Sequence, residues 1–205
     1  GYETIREARY KRMVDLGIID PSKSPLAKWN ERQWSNLKGI ELEKEKRRME
    51  IYAAMLEHVD RSVGRVIAKL KQQGKFENTL IMFASDNGAC AEGSGAKTKS
   101  TKLENFGTLA SYETVGKAWA SVQNTPLRNW KNYSHEGGIR TPFIVHWPRK
   151  LSKTGSFNNT TIHFIDIMST YIDITGATYP QNVTPMQGTS FAPTFSDQEL
   201  NRSKP

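Results

Sequence analysis

Long apolar runs are missing from this sequence. No stretch approaches the ~18 residues that a membrane-spanning helix needs, so no membrane segment is expected. Cysteine is almost absent as well. A single residue, Cys90, excludes any intrachain disulfide framework and any CxxC metal site. No long Lys/Arg block with interleaved aromatics occurs, so no nucleic-acid partner is expected despite a formal charge of +8. The excess sits largely in "LKGIELEKEKRRME", where acids alternate with bases, the pattern of a solvated helix face with paired charges. Gly1 is not an initiator Met, so the lack of a visible targeting signal carries no information. Internal repeats are also missing.

What remains is a folding composition. Hydrophobic residues make up 37% of the 205, aromatics 10%, and five residues are Trp, enough for one domain, or for one domain and part of another. Five sequons, at Asn132, Asn158, Asn159, Asn182 and Asn201, would matter only in a eukaryotic secreted protein.

Along the chain, "IREARYKRMVDLGIID" reads as a short amphipathic helix stopped at Gly17, followed by a turn-rich stretch with Pro21 and Pro25. Residues 41–73 read as one long helix. Met49, Tyr52, Ala53, Leu56, Val59, Val63, Val66, Ile67 and Leu70 recur in steps of three and four, and Gly74 follows as a C-cap. Thr79–Ala84 is a buried strand by length and bulk, apolar on both faces as in a parallel sheet covered by helices. Residues 89–124 hold little periodicity, and "CAEGSGAKTKST" reads as a mobile loop. "FIVHW" is a second buried strand, between Pro142 and Pro148. "HFIDIMSTYIDITGA" is a further helix ending at Gly176, and the tail from Tyr179 is Pro-rich and polar.

The first strand runs into Ser85-Asp86-Asn87-Gly88. Ligands of open α/β sheets sit at the carboxyl ends of strands. A carboxylate and an amide oxygen suit Ca²⁺ or Mg²⁺, and Gly88 removes a side chain that would block close approach. The same four residues also make an ordinary turn. A second loop, before the second strand, holds Lys131, His135 and the pair Gly137-Gly138. The lysine and histidine could hold an oxyanion with help from the glycine N–H groups. A surface lysine and a hydrogen-bonded histidine are the plainer alternative. Two such loops beside strand ends favour a shared site.

These segments carry a family resemblance. "YAAMLEHVDRSVGRVIAKLKQQGKFENTLIMFASDNG" resembles the helix–strand–calcium segment of type I sulfatases, in the alkaline phosphatase superfamily. "NTPLRNWKNYSHEGGIRTPFIVHWP" resembles their second block, close to bacterial arylsulfatases, and "HFIDIMSTYIDITGATYP" fits the helix that follows. The resemblance spans roughly residues 1–192. It implies an α/β fold, an alkaline-phosphatase-like sandwich of helices around a mostly parallel central sheet. Residues 1–176 would form the C-terminal part of the catalytic domain, and 177–205 the start of a small C-terminal subdomain or tail. It also implies a sulfuric-ester hydrolase with Asp86 and Asn87 as ligands of one Ca²⁺ ion. Lys131 would be the catalytic lysine that contacts the substrate sulfate, and His135 a further substrate-binding residue.

The family's formylglycine nucleophile arises from a C/S-x-P-S-R motif. Cys90, followed by "AEGSG", does not fit it, and no Ser does. The nucleophile and the remaining ligands are therefore expected upstream, with this chain a C-terminal half truncated at both ends and inactive alone. The expected partner is a sulfate-ester small molecule or a sulfated glycan, and the expected location, by resemblance only, is periplasmic or secreted. The alternatives are a phosphatase or phosphodiesterase of the same superfamily and a non-catalytic binder of sulfated glycans. Those phosphatases carry His after the Asp, a ligand suited to zinc, whereas the amide of Asn87 suits calcium.

Overall fold

The computed structural model describes residues 1–92 and 102–202. Most of the run read as a mobile loop, 93–101, lies outside the described residues. The elements are α1 (Tyr2–Asp15), α2 (Gly39–Gln72), β1 (Ile81–Ala84), α3 (Gly116–Gln123), α4 (Glu136–Ile139), β2 (Phe143–His146) and α5 (Ile165–Thr175). The chain divides into two compact units. One comprises Gly1–Ala68 and Met82–Ile144, the other Lys69–Ile81 and Val145–Pro205. No described helix is long and apolar enough to cross a membrane.

The core of the first unit is aromatic. Tyr2 is buried with Leu37, Trp119 and Val122, and Trp29 and Trp34 pack against them. The Tyr2 ring meets Trp34 and Trp119 edge-on at 4.8 and 4.6 Å, the geometry that aromatic quadrupoles favour. Trp119 donates its indole N–H to the Glu45 carbonyl at 2.9 Å, so α3 is tied to α2 without an orphaned donor. Arg48 pairs with Glu45 and Glu113 where all three side chains are mostly shielded. α3 escaped the sequence reading because its eight residues make barely two turns, too few for a periodic signal.

α2 runs the expected length, and Gly74 follows it at φ +65°, a left-handed conformation that glycine adopts without strain. Its apolar stripe is not buried, however. Met49 packs on the aromatic core, but Leu56, Val59 and Val66 are 46–60% exposed. Among the described residues no element covers that half of the stripe.

β1 and β2 form a two-stranded antiparallel sheet. This corrects the reading of β1 as one strand of a parallel, helix-covered sheet. The flanking bonds follow the antiparallel register: Gly88 N–H to Gly138 C=O, Thr141 Oγ to Ser85 C=O, and Arg149 N–H to Glu77 C=O. Phe83 and Ile144 remain about half exposed, which is why apolar character on both faces did not report burial on both faces here.

In the second unit, α5 ends at Gly176 with φ +66°. Asp166 in its first turn is fully buried and accepts from the backbone N–H of His163 (2.7 Å) and of Thr189 (2.8 Å), and from the Arg202 guanidinium. Thr170 continues this chain of bonds, donating to the Asp166 carbonyl and accepting from Phe191 N–H. The segment read as a polar tail is thereby docked on α5, with Phe191 and Phe195 buried.

Burial alone would raise the Asp166 carboxyl. The hydrogen bonds from Arg202, His163 and Thr189, with the Arg202 charge, outweigh it and hold the carboxyl below the usual carboxylate range. A depressed carboxyl contributes stability that is present above its unfolded pKa and lost as pH falls through its folded one. Asp166→Asn is expected to cost about 3 kcal/mol at pH 7 in urea denaturation, because it strands the Arg202 charge. The difference from wild type should shrink as pH falls through the folded pKa of Asp166. A variant as stable as wild type at pH 7 would refute the assignment.

Candidate functional site

All residues of the site lie in the first unit. Ser85 leaves β1 and donates its hydroxyl to the Asn87 carbonyl at 2.8 Å, closing the turn that presents Asp86 and Asn87. Gly88 N–H then donates to the Gly138 carbonyl at 3.0 Å. A Cβ on Gly88 would stand 1.7 Å from the Gly137 carbonyl oxygen, so only glycine permits this approach. Cβ atoms on Gly137 and Gly138 would likewise fall within 2.2 Å of the Asn129 and Tyr133 carbonyls. The glycine expected to admit a close approach does so, but what approaches it is the backbone of the other loop.

Asn124, at the end of α3, holds the arrangement from below. Its side-chain oxygen accepts from Ala89 N–H at 2.9 Å. Its amide donates to the Asn129 and Gly137 carbonyls, both at 2.8 Å. One side chain therefore clamps three backbone segments. Sequence reading assigned Asn124 no role, since an Asn after an unforeseen helix carries no periodic or motif signal of its own.

Lys131 is brought to the Asp86–Asn87 turn by its backbone. Its N–H donates to the Ala89 carbonyl at 2.9 Å, although 45 residues separate Asp86 from Lys131. Its ammonium lies 3.2 Å from Glu92, a second residue that sequence reading missed. The Glu92 hydrogen bond, then the Glu92 charge, then Cys90 raise the Lys131 pKa. Desolvation opposes them weakly, and Asp86 adds to the rise. The ammonium is thus protonated throughout the neutral range.

His135 lies in the same loop but is turned to Arg128, whose guanidinium contacts its Nε2. Its Nδ1 is buried and without a hydrogen-bond partner among the described residues. The glycine N–H groups expected to help an oxyanion are already used. Gly137 donates to the Arg128 carbonyl and Gly138 to the His135 carbonyl. These two N–H groups are therefore not free to meet an anion.

The Asp86 carboxylate is exposed. Asn87 donates its amide N–H to the Gly88 carbonyl at 2.8 Å, which leaves its side-chain oxygen as the end to offer. Two hard oxygen donors side by side fit a hard cation such as Ca²⁺. Among the described residues no group of three or more His, Cys, Asp and Glu side chains is gathered to hold a metal ion.

With this geometry in place, comparison with known proteins gives a consistent result. The sulfatase family model matches residues 20–177. An uncharacterized sulfatase of Schizosaccharomyces pombe is 34% identical over 88% of this chain and 34% of its own length. An arylsulfatase of Klebsiella aerogenes is 30% identical over 86% of this chain and 40% of its own length. A steryl-sulfatase of Mus musculus is 32% identical over 63% of this chain and 18% of its own length. The chain spans well under half the length of these relatives.

Asn124→Ala would leave one buried N–H and two carbonyls without their partner. A loss of about 3 kcal/mol is expected, measured by thermal or urea unfolding. Faster hydrogen exchange at Ala89 N–H should accompany it. Unchanged protection at Ala89 would contradict the clamp.

Proposed function

The chain belongs to the sulfatase family, and on that footing we propose that it supplies part of the active site of a sulfuric-ester hydrolase. The observation that carries this reading is the backbone bond from Lys131 to Ala89, which sets a protonated ammonium beside a turn offering a carboxylate and an amide oxygen. A sulfate ester is anionic, and negative charge grows on its oxygens and on the leaving oxygen as the S–O bond breaks. Lys131 would meet that charge directly. Asp86 and Asn87 would hold Ca²⁺, which when bound supplies Lewis-acid stabilisation of the same oxygens. The formylglycine nucleophile would come from outside this chain. His135, committed to Arg128, would shape the Lys131 loop rather than meet the ester.

The same reading proposes that the chain contributes to an alkaline-phosphatase-like sandwich, of which the β1–β2 pair is one edge. It also proposes a periplasmic or secreted location. Asn87 favours sulfate over phosphate chemistry within the superfamily, because an amide oxygen suits calcium better than zinc.

Lys131→Ala in the protein carrying this chain is expected to lower kcat/KM for an aryl sulfate about 10²-fold or more, with Arg128→Ala much less costly. An unchanged rate would exclude Lys131 from the site. The 205-residue chain alone, with two donors for a cation that takes six to eight oxygens, is expected to bind Ca²⁺ more weakly than micromolar and to leave aryl sulfates intact. Isothermal titration showing micromolar affinity, or turnover by the chain alone, would contradict this.

A further inference from the structure

We propose that Glu92 sets the charge selectivity of the site, favouring esters with one negative charge over those with two. The proposal rests on the reading of Lys131 as the group that meets the ester. Sulfate and phosphate monoesters present the same tetrahedral outline, so a pocket has little shape by which to separate them. Their charges differ. A sulfate monoester carries one negative charge, and a phosphate monoester carries about 1.5 to 2 near neutral pH.

Glu92 is positioned to read that difference. Its carboxylate stands 3.2 Å from the Lys131 ammonium, with side-chain exposures of 36% for Lys131 and 50% for Glu92, so an arriving anion reaches the pair from solvent. The ammonium has three N–H donors. Glu92 takes one and leaves two for the ester. The carboxylate also cancels one unit of the positive charge that the ester would otherwise meet, a loss that a dianion feels about twice as strongly as a monoanion.

The backbone that carries Glu92 is held rather than adrift. Thr114 donates its hydroxyl to the Glu92 carbonyl, Ala91 before it is buried, and Ala89 is bonded to the backbone of Lys131 and to Asn124. Both members of the pair therefore hang from one fixed stretch of backbone. Asp86 adds further negative charge near the ammonium.

The test uses the protein carrying this chain and measures KM for an aryl sulfate together with Ki for phenyl phosphate as its competitive inhibitor. Glu92→Gln is expected to tighten phenyl phosphate binding relative to the sulfate about fivefold, the effect of one unit of charge screened as in water. Glu92→Asp keeps the charge and is expected to hold the wild-type ratio within about twofold. An unmoved ratio in Glu92→Gln, with sulfate turnover intact in wild type, overturns the role of Glu92 alone. A ratio shifted equally by both variants assigns the effect to shape and also overturns it. No sulfate-ester turnover in wild type overturns the proposed function and this inference with it.

Discussion

The site depends on one steric constraint, the absence of side chains where two backbones touch. Gly88 lies so close to Gly137 that a single Cβ would overlap its carbonyl oxygen, and Gly137 and Gly138 are pressed in turn against carbonyls of residues 128–133. Close-packed backbones bring polar groups together with little room for water, so each must find a protein partner. Asn124 supplies several at once, and the Gly88–Gly138 bond supplies another. The position of Lys131 follows from that packing, not from anything its own side chain does.

Electrostatics then act on a fixed frame. Lys131 is paired with Glu92 and has the negative charge of Asp86 nearby, so its charge is secure while its pull on an anion is tempered. In the second unit the same physics serves another end. Asp166 is fully buried and kept ionised by three donors, and the result is a docked chain segment rather than an exposed charge. Partner number and solvent access separate the two cases.

Much of this was legible in the residues, and the exceptions have physical reasons. α2 declared itself through about six turns of consistent spacing from Met49 to Leu70, and the stops at Gly17, Gly74 and Gly176 all carry positive φ. The pairing of the Asp86–Asn87 turn with the Lys131 loop was expected from their motifs. Strand direction was not legible, because an apolar run of four to six residues looks the same whether its neighbour runs parallel or antiparallel. α3 was too short to announce itself, and Asn124 and Glu92 act through contacts between segments far apart in sequence. The glycine N–H groups looked available in the sequence and are occupied in the fold, since only tertiary structure reveals which carbonyl stands opposite.

Cys90 takes no part in the chemistry proposed here, yet its place has a practical meaning. It is partly accessible, it follows the residue whose carbonyl anchors Lys131, and it is the only thiol in the chain. A reporter group attached there, a fluorophore or a spin label, would go to one position without any engineered cysteine. Its signal would come from the Asp86–Lys131 neighbourhood and from nowhere else in these 205 residues, so the chain carries a built-in vantage point on its own binding loop.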